Sequence, residues 1–124
     1  MTRSGKKSLS FKEKCKMVRN NKDIVDDINE YLRTNEKLID SEYRKIVNKS
    51  LDKKARDYEF VVASIYQEYI DYYSQIAVII YTLNDPNNSK NKVIKFKKIF
   101  RTLEQMDKLI ERFEEAKRIF YMNR

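Results

Sequence analysis

The sequence predicts an all-α fold, an elongated bundle of four helices, or five if the first segment breaks, built on one long antiparallel helical hairpin. Three observations carry that expectation. Leu51, Ala55, Tyr58, Val62, Ile65, Tyr69, Tyr72, Ile76, Ile79 and Leu83 keep an unbroken four-then-three spacing, the heptad seam of a single helix. The spacing resumes at Phe96, Ile99, Leu103, Met106, Ile110, Phe113 and Phe120, with Lys117 as the charged exception. Gly5 and Pro86 are the only glycine and proline, so the tight turns of a β fold have no residues to form them.

The elements follow in chain order. Residues 1–9 read as a flexible basic tail without the apolar run of a secretion signal, which suits a cytoplasmic protein, or host cytoplasm if the chain is viral. Ser10 and Glu13 have capping-box spacing and open the first helix. Its apolar face carries Phe11, Cys15, Val18, Val25, Ile28 and Leu32. Asn20 and Asn21 interrupt that face, and a short break or a polar position in one continuous helix accounts for them equally. Thr34 or Asn35 is placed to cap a further helix burying Leu38, Ile39, Tyr43, Ile46 and Val47.

The central helix, about 51–83, would be about 50 Å long, against a radius of gyration of ~14 Å for a compact chain of this size, hence the elongated bundle. Beside its seam it carries Phe60, Val61, Tyr66, Ile70, Tyr73, Val78, Ile80 and Tyr81. Only the stripe Ser64, Gln67, Glu68, Asp71, Ser74 and Gln75 is polar, which marks a covered bundle helix and no membrane insertion. Residues 84–89 form the clearest loop, with Asp85 or Ser89 capping the last helix, about 89–122. Residues 10–124 thus read as one domain.

Chemistry is constrained by what is missing. The absence of histidine removes the commonest general base, the nucleophile pairs built on it and the His-containing metal sites. No glycine-rich phosphate loop exists. Cys15 stands alone and sits among apolar positions, so it reads as a small core residue without an intrachain disulfide. The pairs Asp23 and Asp26, Asp27 and Glu30, and Glu68 and Asp71 place two carboxylates on one helical face. In that feature alone the chain resembles the all-α nucleotide pyrophosphohydrolases, a resemblance implying magnesium held between facing helices. Such spacing is common in helices rich in acids, and the expectation is a non-enzymatic protein without cofactor or metal. The tyrosines at 58, 66, 69, 72, 73 and 81 read as core packing with hydroxyls at the bundle edge, not as base-stacking platforms.

Charge gives the functional lead. The chain holds 27 Lys and Arg against 19 Asp and Glu, a net +8, and the signs come in blocks. Residues 90–101 contain Lys90, Lys92, Lys95, Lys97, Lys98 and Arg101 and no acid. Lysines in the first turns of a helix repel one another and oppose its dipole, and an anion relieves both. Lys45, Lys49, Lys53 and Arg56 are spaced as a second ridge on one helical face. The expected partner is DNA or RNA, held without sequence preference through backbone phosphates. Abundant Lys, Asn, Ile and Tyr also fit AT-rich coding, as in a viral or mobile-element accessory protein. The competing expectation is a protein-interaction bundle, an inhibitor, immunity or structural subunit. It would meet a second copy or another helical protein through Phe60, Ile70, Val78 and Tyr81.

Overall fold

The computed structural model describes residues 21–47, 52–83 and 92–122. All three segments are helical: α1 (Asn21–Val47), α2 (Lys53–Leu83) and α3 (Lys92–Met122). No strand occurs among the described residues. The tail, the Ser10–Glu13 box, Phe11, Cys15, Val18, Asn20, Leu51 and the loop at 84–89 lie outside the described residues.

The helix count differs from the expectation of four or five. A cap at Thr34 or Asn35 does not form, because α1 runs unbroken for 27 residues from Asn21 to Val47. Its seam explains this continuity. Ile28, Leu32, Ile39 and Ile46 are buried, and the positions the heptad skips among them are filled by half-buried Asn35 and buried Glu42. Two polar residues in seam positions hide the period from a reading based on apolar residues alone. Leu38 and Val47, expected inside, are exposed because they fall off this seam.

Two compact units divide the chain, residues 1–31 and 32–124. In the first, the described residues are the opening turns of α1, where Ile28 is buried and Lys22, Asp23, Asp26 and Glu30 are exposed. In the second, residues 32–47 of α1 combine with α2 and α3.

The start of α2 is set by Asp52. Its Oδ1 accepts the Ala55 backbone N–H at 2.7 Å, satisfying one of the donors that an N-terminus leaves without a carbonyl. Along α2 the seam residues Ala55, Tyr58, Val62, Ile65, Tyr69, Ile76 and Leu83 are buried, with Tyr72 and Ile79 half-buried. Ile99, Leu103, Met106, Leu109 and Phe113 of α3 complete the core. Leu109 lies beside the 3.5-residue seam, one residue before Ile110, which is half-buried.

Contacts between α2 and α3 run in opposite directions along the chain. Tyr58 stacks on Phe120 with ring centroids 4.1 Å apart, Glu68 pairs with Arg112, and Lys95 reaches the Thr82 carbonyl. The hairpin is therefore antiparallel, as the sequence predicts. Residues 32–47 of α1 are antiparallel to α2 as well, and tyrosine hydroxyls span the gap. Tyr69 donates to the Leu32 carbonyl at 2.7 Å, Tyr66 to Glu36 and Asp40 at 2.7 and 3.0 Å, and Tyr58 to Glu42 at 2.8 Å.

Candidate nucleic-acid interface

The first three turns of α3 gather the basic block, and the helix has no acidic residue in its first turn. Lys97, Lys98 and Arg101 are exposed, and none forms an ion pair with a described residue. At 100° per residue, Val93, Lys97 and Arg101 stand in one i, i+4 row, with Ile94 and Lys98 in the next. Val93 and Ile94 are 68% and 65% exposed on the side opposite buried Ile99 and Leu103. Phe96 and Phe100 flank this row half-buried, their rings 6.0 Å apart at 28°.

Lys95 belongs to a different task. Its Nζ donates to the Thr82 carbonyl at 2.9 Å, in the last turn of α2. The helical donor for that carbonyl would be the backbone N–H four residues on, and Pro86 has none. Lys95 supplies the missing donor and brings a positive charge to the negative end of α2. Lys92 is half-buried, and Lys90 lies outside the described residues.

The second ridge is not one helical face. Lys45 is on α1, whereas Lys53 and Arg56 are on antiparallel α2, and Lys49 lies outside the described residues. The Lys45 ammonium sits 5.2 Å from the centroid of the Tyr121 ring, and Lys53 pairs with Asp57 at 2.8 Å. Arg56 is exposed and forms no ion pair with a described residue. The block at residues 97–101 thus keeps its cations available, while two of the three described ridge cations, Lys45 and Lys53, are engaged.

Tyr58 and Tyr69 are buried and Tyr66, Tyr72 and Tyr73 half-buried, as core packing requires, but Tyr81 is exposed, against the expectation. The Tyr58 and Tyr66 hydroxyls meet acids of α1, and that of Tyr69 meets the Leu32 carbonyl. At the end of the bundle, Glu42 is only 4% exposed and its Oε2 accepts from Tyr58 of α2 and Tyr121 of α3, both at 2.8 Å. Burial, then the hydrogen bond to Glu42, drives the Tyr58 phenol well above its ordinary pKa. Tyr66 is raised by burial and then by its bonds to Glu36 and Asp40, and Tyr69 by burial first. Sequence reading missed this cluster. The available signal was Glu42 in a seam position of α1, where an acid is stable only with donors around it.

Carboxylates show no common focus. Glu68 is paired with Arg112, Asp71 accepts from the Gln67 amide at 3.3 Å, and no group of three metal-ligating side chains occurs among the described residues. No described helix is long and apolar enough to cross a membrane.

The proposed partner residues are exposed but do not form one surface. Val78 and Tyr81 are 64% and 84% exposed near the end of α2. Phe60, 74% exposed, lies about 27 Å away along the axis. Ser64, Gln67, Asp71 and Ser74 intervene, and Ile70 is only marginally exposed.

Comparison with protein families, characterised proteins and solved structures yields no match to the chain.

Proposed function

We propose that this is a small non-enzymatic helical protein that binds DNA or RNA through its phosphates, using the opening turns of α3. The observation that carries this reading is the trio Lys97, Lys98 and Arg101, exposed, adjacent and without ion pairs to described residues. Like charges brought together on a rigid helix raise the free energy of the unbound surface. A polyanion lowers it and releases condensed counterions as it binds. Lys92 and Arg56 are second-rank contacts, while Lys45, Lys53 and Lys95 are assigned to the intramolecular contacts they make.

The test is anisotropy with labelled random-sequence nucleic acid over a salt series. Replacing Lys97, Lys98 and Arg101 together by Ala should weaken binding and reduce the slope of log affinity against log salt by about two to three. Unchanged affinity and slope would overturn the reading.

A second reading draws on Val78 and Tyr81, a bulky exposed pair at the end of α2. It makes the chain an interaction subunit that meets a second copy or a helical protein there. Sedimentation of the wild type and of Tyr81→Glu decides the self-association form: a dimer split by the substitution supports it, and a monomer in both cases removes it.

A further inference from the structure

We infer that the ligand of α3 is a single strand with accessible bases, whose base faces cover Val93 and Ile94 while its phosphates meet Lys97, Lys98 and Arg101; this rests on the phosphate-binding reading above. Phosphate attraction explains the cations but leaves two large aliphatic side chains, 68% and 65% exposed, directly beside them on the same side of the helix. In the i, i+4 rows Val93 precedes Lys97 and Arg101, and Ile94 precedes Lys98, so an apolar pair in one turn adjoins cations in the next two, over about 12 Å of helix. Half-buried Phe96 and Phe100 stand three and seven residues from Val93, continuing the apolar row toward the core. The first exposed acid on this side is Glu104, one turn beyond Arg101, which ends the patch.

A duplex presents phosphates to such a face and keeps its base faces stacked inside, so Val93 and Ile94 would gain no apolar cover from it. A single strand offers both, because every base has an apolar face that packs without regard to sequence. An anionic lipid surface shares the charge chemistry. It calls for a wide, exposed apolar face with aromatic or leucine side chains, whereas here only the two β-branched residues are exposed and Phe96 and Phe100 are half-buried.

The experiment uses the full chain with a labelled 20-nucleotide oligothymidylate, a 20-base-pair duplex and phosphatidylserine vesicles, at one low salt concentration. The wild type should prefer the single strand. Val93→Ser with Ile94→Ser should weaken the strand on the order of tenfold and leave the duplex within about twofold. Both side chains are exposed, and Val93→Thr with Ile94→Thr provides a second variant that keeps β-branching at both positions and whose helicity is checked by circular dichroism. Binding of strand and duplex that is equal, or insensitive to both variants, overturns the inference while the phosphate reading stands. Absence of binding to either nucleic acid overturns both. Vesicle binding that depends on Val93 and Ile94, without strand binding, overturns both in favour of a lipid surface.

Discussion

Glu42 is the buried charged side chain among the described residues, with two phenol hydroxyls on one carboxylate oxygen at 4% exposure. Removing one donor leaves part of a buried acceptor unsatisfied. Tyr58→Phe should cost about 1–3 kcal/mol in urea unfolding, and Tyr121→Phe less, since water can reach that side. The raised tyrosines set a pH dependence. Each phenol titrates near 10 when unfolded and higher when folded, so the folded state retains protons that the unfolded chain loses. The tyrosine contribution is fully present below pH 10 and is lost progressively above it. Urea midpoints at pH 8, 10 and 11 should fall with rising pH, less steeply in Tyr58→Phe. At this scale the sequence shows which residue types are present but not which are already engaged. Lys95, Lys97 and Lys98 look equivalent in a basic run, and only the position of Thr82 four residues before Pro86 distinguishes Lys95.

Helix boundaries depend on single residues. Asp52→Ala removes the acceptor at the start of α2 and should destabilise by about 1 kcal/mol, read as a lower urea midpoint. Lys95→Met keeps the aliphatic stem but loses the bond to Thr82. It should lower the melting temperature and leave nucleic-acid affinity nearly unchanged, whereas Lys97→Ala should do the reverse. A loss of affinity in Lys95→Met equal to that in Lys97→Ala would return Lys95 to the binding face. The hairpin was legible because α2 and the central stretch of α3 fill their seams with apolar side chains that water excludes regardless of distant contacts. In α1 it was not, because Asn35 and Glu42 occupy seam positions and their partners, where the structure shows them, come from other helices. Tertiary hydrogen bonds of that kind leave no periodic trace in one strip of sequence.

For the molecule as a whole, net charge of +8 favours association with polyanions, and binding to the folded state alone must stabilise it. Saturation at about one hundred times the dissociation constant should add about 2.7 kcal/mol to unfolding, seen as a raised melting temperature. That gain should disappear in the Lys97, Lys98 and Arg101 triple alanine variant. A gain preserved in the variant would place the binding surface elsewhere.

The tyrosine bridges between residues 32–47 and α2 also act as a key for alignment. Sliding α1 by one heptad would still set apolar seam residues against one another, so burial alone separates the two arrangements poorly. In one direction the slide brings Asn35 to Tyr58 and Arg33 to Tyr66. In the other it brings Lys49 to Tyr58, and Tyr43 and Val47 to Tyr66. Either shift removes the acids those hydroxyls now reach, and moves Glu42 away from both of its donors. The acids at 36, 40 and 42 therefore do more than satisfy three phenols: they make one pairing of the helices much better than its neighbours, as a polar residue in a coiled-coil seam does.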